Sequence, residues 1–362
     1  MSGAMFIVDA HLDLAYNALY YGRDSRRSLS EIRAAEGRGS PRGVATVAIP
    51  ELRQAGVGLV FATIFVPPAD SPIGSYREEI TYHNAAEAHT LGMAQLDYYH
   101  RLADEDESIC LVGDRNRLNQ VIESHAPEKE AEDGRRLLGI VPLMEGADPI
   151  REPEEAELWY ERGVRLVGLA WDDTRYAAGA WRGGSEGLSQ AGYHLLEVMA
   201  DLGFILDLTH MSEKAVHEAI DRYAGPVVAT HSNARALVPG ERHLSDEQIR
   251  RIGERDGLSG VVLFNAFLHA GYRKGDPKQS VSLDHVVAHI DHICQVLGDA
   301  HHTGIGSDLD GGFGAADIPA EMDSVADLPL IAARLLEYGY EQNDVANIMG
   351  GNWVSLLRRN LP

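Results

Sequence analysis

Cysteine, basic residues and long apolar runs are all in short supply. The 362-residue chain holds 2 cysteines, Cys110 and Cys294, which cannot build a disulfide framework and belong to no C-x-x-C pair. A reducing, cytoplasmic setting is the expectation. Lys and Arg number 32 against 55 Asp and Glu, a formal charge of −23, and no basic run or stripe offsets it. Such a surface repels phosphate backbones and anionic membranes, so neither a nucleic-acid nor a membrane partner is expected. No apolar stretch reaches the roughly 18 residues of a spanning helix. Residues 1–5 run directly into Phe6-Ile7-Val8 without the basic and long apolar regions of a signal segment, and residues 356–362 carry no anchor signature. What remains is ordinary globular usage, 44% hydrophobic and 24% charged, enough for a real core.

Short apolar runs rich in β-branched residues recur at 5–10, 57–66, 138–143, 164–169, 204–208, 226–230, 260–265 and 302–306, eight candidate strands. Amphipathic segments of helical length lie between most of them, at 82–104, 155–162, 188–202, 283–297 and 324–338 among others. Ser212 and Ser245 stand where N-caps belong, and Ser245 with Gln248 has capping-box spacing. This β-α alternation predicts a parallel sheet with helices outside it, closed as a TIM-like (β/α)8 barrel in one domain over 1–362. Segment 22–42, polar and rich in Arg, Ser and Gly, and segment 175–187, rich in Gly and aromatics, read as extra loops at the C-terminal face.

Metal-capable residues stand at the C-terminal ends of several candidate strands, where a parallel barrel builds its active site. The first strand runs into Asp9-Ala10-His11-Leu12-Asp13, and the third ends Leu143-Met144-Glu145-Gly146. Asp207-Leu208-Thr209-His210, Thr230-His231-Ser232 and Ser307-Asp308-Leu309-Asp310-Gly311 close the fifth, sixth and eighth. Residues two apart on a strand share a side, so His11 and Asp13 converge. Buried acids of one sign repel unless a cation neutralises them, which makes metal binding the economical reading of the set. Imidazoles and carboxylates together suit Zn²⁺, with Mn²⁺, Co²⁺ or Fe²⁺ also compatible.

With these residues in order, the chain resembles the membrane (renal) dipeptidase family of binuclear zinc metallopeptidases, a likeness that extends to the closing Gly350-Gly351-Asn352-Trp353. The resemblance implies that His11 and Asp13 bind one Zn²⁺, that His210 and His231 bind a second, and that Glu145 bridges them. It implies hydrolysis of a dipeptide-like substrate by a hydroxide shared between the metals, and a homodimer as assembly. Asp308 matches the family's proton-handling Asp, with Asp310 the second candidate. Arg242 matches the arginine that holds the substrate carboxylate, a group a guanidinium can grip with two hydrogen bonds. One departure stands out: where the family has a His after the fourth strand, this chain reads Leu169-Ala170-Trp171-Asp172-Asp173. Trp171 either offers its indole N–H to substrate or packs, and Asp172 or Asp173 could meet a cationic substrate group. Two other functions compete, a binuclear-metal hydrolase of another small amide, lactone or ester, and a barrel that binds without turnover.

Other histidines read as structural. His285, His289 and His292 share one face of a predicted outer helix, expected to be solvated, and His301 and His302 precede a strand, at the wrong end for chemistry. Residues 93–99 read as core, and the acidic runs at 128–133 and 152–157 as solvated surface.

Overall fold

A computed structural model describes residues 5–37, 40, 42–71, 78–126, 136–182 and 186–362. Its strands are β1 (Ile7–Leu12), β2 (Val57–Phe65), β3 (Ile109–Leu111), β4 (Leu138–Glu145), β5 (Leu166–Gly168), β6 (Ile205–Asp207), β7 (Val227–Val228), β8 (Ser259–Val261) and β9 (Thr303–Ile305). All eight candidate strands are present. β3 is an addition, three residues long and too short for any periodicity to announce it, and it pairs with the start of β4 outside the main path.

Main-chain pairing runs parallel through β1-β2-β4-β5-β6-β7 and separately through β8-β9. β2 and β4 are buried along their whole length, because helices cover the outer face and side chains fill the inner one. The curled sheet is joined to the β8-β9 pair at Ala229 and Ser259. Inside this junction a Cβ at Gly260 or Gly306 would collide with the Thr230 carbonyl oxygen, so both positions require glycine.

The last seam, β9 against β1, is held by a side chain. Asp9 is fully buried, and its carboxylate accepts the Ser307 N–H at 2.8 Å and the Ser307 hydroxyl at 2.5 Å. The His11 carbonyl adds a single main-chain bond from the Asp308 N–H at 3.3 Å. The eight strands thus enclose one α/β barrel, as the alternation predicts.

Helices begin where the capping chemistry places them: Ser212 caps Glu213–Arg222, and Ser245 with Gln248 forms a full capping box on Asp246–Gly253. Segment 22–42 departs from the loop reading, since Leu29–Glu36 is helical behind a Ser28–Glu31 capping box. That S-x-x-E signal was visible, and the surrounding polarity masks it. Residues 38, 39 and 41 of this segment, 183–185 of the other expected loop and the acidic run 128–133 lie outside the described residues. His289 also departs from expectation. It is fully buried on the inner face of Leu283–Leu297, accepting the Ala234 N–H at Nδ1 (3.1 Å) and meeting the Leu268 carbonyl at Nε2 (3.3 Å). Burial pushes it down to about 4, so it stays neutral, and a neutral imidazole with both nitrogens paired is acceptable in a core.

Candidate metal centre

The side chains of the expected set arrive from the ends of five strands, His11 and Asp13 sharing one. His11 lies at the end of β1, Asp13 at the N-cap of helix Leu14–Tyr21, and Glu145 is the last residue of β4. His210, His231 and Asp308 follow β6, β7 and β9. His210 and Asp308 take left-handed backbone angles, φ 68° and 58°, which turn their side chains back over the barrel mouth. Such conformations are uncommon for non-glycine residues and cluster at functional sites.

The functional atoms converge around Glu145. Its Oε2 lies 3.5 Å from His11 Nε2, while its Oε1 lies 3.0 Å from His210 Nε2 and 3.4 Å from His231 Nε2. His11 Nε2 is also 4.0 Å from Asp13 Oδ1 and 3.9 Å from Asp308 Oδ1. Ligand-type atoms of His11, Glu145 and His231 all fall within 4.8 Å of one another. Asp13 is held in turn by the Thr63 hydroxyl at 2.5 Å and Arg42 Nη2 at 3.4 Å.

Two buried carboxylates, the partly exposed Asp308 and three imidazoles in this space shift one another strongly. Burial raises Asp308 well above the usual carboxylate range, and the facing acids Asp13 and Glu145 add to it. Glu145 is driven the other way: burial is outweighed by His11 and by hydrogen bonds from the imidazoles, which hold it well below its usual value. Burial opposes a charge on His11, yet Glu145, Asp308 and Asp13 outweigh it and push the ring up to about 9. His210 is brought down to about 3 by burial and the Arg242 charge, and His231 is lowered by burial and His11. Imidazole and carboxylate donors converging in this way fit a divalent metal ion.

The centre opens into a cavity of about 250 Å³. Arg242 lines it, buried, with Nη1 donating to Ser232 Oγ (3.0 Å) and Nη2 to the His231 carbonyl (2.9 Å), and with a buried Nε that has no protein partner. Burial lowers this guanidinium to about 10, so it stays cationic at neutral pH. Trp171 also lines it, its ring against Phe65 with centroids 4.9 Å apart. The Asp172 carboxylate is already taken by Arg182, at 2.8 and 3.0 Å. Asp310 is likewise committed: Thr46 N–H and Oγ1 at 2.8 Å, the Val47 N–H at 3.2 Å and Arg23 at 3.1 Å fill its oxygens. Asp308, which faces His11 and the cavity, is thereby distinguished from it.

Several cavity residues were not singled out in the sequence, although Arg42 and Trp181 fall in the two segments read as loops at the C-terminal face. Trp181 lines the cavity and donates its indole N–H to His210 Nδ1 at 3.1 Å, and Arg42 and Phe267 stand beside it in the lining. None belongs to a short motif: Trp181 sits in the 3₁₀ turn Ala180–Arg182, Phe267 in the short helix Asn265–Leu268, and Arg42 in a loop.

The family model for membrane dipeptidases, peptidase family M19, matches residues 1–360. The chain belongs to that family. This membrane dipeptidase family member superposes on the crystal structure of dipeptidase AC, a family M19 metallopeptidase, with a TM-score of 0.80 at 25% identity over 99% of each chain. The same values hold for a Rhodobacter sphaeroides metallopeptidase bound to a phosphinate mimic of the dipeptide L-Ala-D-Ala. Dipeptidase tcpJ of Claviceps purpurea is 28% identical over 324 residues, 86% of this chain and 68% of that protein. An uncharacterized protein from the pqqA 5′ region of Klebsiella pneumoniae is 33% identical over 250 residues, 67% of this chain and 89% of that one. Family and structural neighbours agree with the sequence reading: the chain is a metal-dependent hydrolase of the dipeptidase type.

Proposed function

We propose that this protein hydrolyses the peptide bond of dipeptides at a centre of two Zn²⁺ ions, with His11 and Asp13 serving one, His210 and His231 the other, and Glu145 bridging. The observation that carries the reading is the division of Glu145 itself, one oxygen toward His11 and the other toward His210 and His231. Zinc in such a site lowers the pKa of water and polarises a carbonyl oxygen. Asp308 retains 14% exposure against 1% for His11 and 7% for Glu145, which suits the group that moves a proton. Its carboxylate takes a proton from the attacking water and returns it to the leaving amine nitrogen. Arg242 holds the substrate's C-terminal carboxylate and so fixes which bond faces Glu145 and Asp308.

The cavity volume supports a short substrate, since about 250 Å³ falls below the roughly 300–1,000 Å³ of pockets for drug-sized ligands. Phe65, Trp171, Trp181 and Phe267 wall it and exclude bulk water. A cytoplasmic setting fits the two cysteines, both free and buried, and no described helix is long and apolar enough to cross a membrane. A second reading, hydrolysis of another small amide, lactone or ester, draws on Trp171 standing where the family resemblance places a His. Elemental analysis of chelator-free protein, followed by a panel of dipeptides, N-acyl amino acids and lactones, decides between them. About two zinc per chain with dipeptide cleavage is the expected result; silence on every dipeptide would falsify the first reading.

A further inference from the structure

Two buried aspartates behind the centre use the same device. Asp207, 2% exposed, accepts the Thr209 N–H (3.1 Å) and the Thr230 N–H (2.9 Å) on Oδ1, and the Thr230 hydroxyl (2.5 Å) on Oδ2. Asp9 does the same with the His11 N–H (3.3 Å), the Ser307 N–H (2.8 Å) and the Ser307 hydroxyl (2.5 Å). Each carboxylate joins two neighbouring strands where they separate to open the site.

The hydroxyls then act on the next residue. A threonine hydroxyl has one proton and donates it along the shorter of its two contacts, to Asp207. Toward His231 Nδ1, 3.0 Å away, Thr230 Oγ1 is therefore left as an acceptor. The ring proton of neutral His231 must sit on Nδ1, and the Nε2 lone pair points at Glu145 and the centre. The His210 and His231 Nε2 atoms lie 2.9 Å apart.

We propose that Asp207 and Thr230 are positioning residues, a carboxylate–hydroxyl relay that sets His231 in the tautomer able to ligate a metal before any metal arrives. The inference rests on the binuclear reading above but is tested separately from it. Nitrogen-15 NMR of the metal-free protein, with the His231 signals identified by their absence from His231→Phe, should show the proton on Nδ1. Asp207→Asn presents an amide to the Thr230 hydroxyl, turns that hydroxyl toward the ring and should move the His231 proton to Nε2. A proton on Nε2 in the wild-type metal-free protein would overturn the proposal, whether or not the protein takes up zinc.

Zinc affinity gives the second readout, by competition with a chromophoric chelator. Thr230→Val should bind zinc about 10- to 100-fold more weakly, the usual cost of losing a partner behind a ligating histidine. Thr230→Ser, which keeps the hydroxyl, should stay within a few-fold of wild type. Thr230→Val with wild-type affinity, or Val and Ser weakened alike, removes the relay. Wild-type protein that binds no zinc refutes the binuclear reading instead and leaves the tautomer result to judge this one.

Discussion

Replacing Arg242 by Ala separates substrate recognition from chemistry. The guanidinium is 6% exposed and cationic, and it already spends Nη1 and Nη2 on Ser232 and the His231 carbonyl while facing the cavity. Truncating one partner of a buried, hydrogen-bonded charge pair costs about 2–5 kcal/mol. At about 1.4 kcal/mol per decade, kcat/KM for a dipeptide should fall by about 30- to 4,000-fold. Because the carboxylate is held alike in ground and transition states, most of that loss should appear in KM. A C-terminally amidated dipeptide lacks the group Arg242 grips, so its kcat/KM should change by less than about threefold. Arg242 Nη2 also lies 3.4 Å from His210 Nε2, so zinc content must be measured on the same sample. Equal losses on acid and amide at full metal content would remove Arg242 from carboxylate recognition.

Asp308→Asn keeps the shape of the side chain but cannot carry a proton. It should retain both metals and lose about 10²–10⁴ in kcat, the range for general acid–base groups; a fully active variant would move the proton elsewhere. Between pH 6.5 and about 9 the metal-free form should lose stability as pH rises, the lowered His210 and His231 titrating below that window. His11 is lifted from 6.5 to about 9, so its contribution is complete below pH 6.5 and disappears through about 9, and the raised Asp308 and Asp13 act in the same direction. Metal replaces that proton, so the melting temperature of zinc-loaded protein should be nearly flat from pH 6.5 to 9 while that of stripped protein falls. Parallel curves would show that His11 does not face the centre as described.

The barrel was legible because its signal is repetitive: eight apolar runs, buried on both faces, separated by capped helices. The strand-end residues were legible because chemistry restricts them to a few types at the ends of those runs. Asp9 and Asp207 escaped notice for a related reason. An aspartate at a strand end reads as another candidate ligand or a turn former, and only the fold shows its oxygens filled by Ser307 and Thr230. His289 misled because spacing alone cannot say which stripe of a helix faces inward when a histidine can be neutral and fully paired. Trp181 was missed because nothing local in the aromatic-containing segment 175–187 marks which side chain reaches the cavity. The choice between Asp308 and Asp310, two residues apart, turned on Thr46 and Arg23, which no local pattern connects to them.

The Asp9 seam also sets an order of events during synthesis. Ser307 and Asp9 are 298 residues apart in the chain, so the first strand emerges long before the group that secures it exists. Closing so wide a loop is entropically unfavourable and belongs late in folding, after the β1-β7 sheet has formed. Until then His11 and Asp13 lie on an open sheet edge without Asp308 opposite them. Assembly of the full donor set therefore reports that the ring of strands has shut.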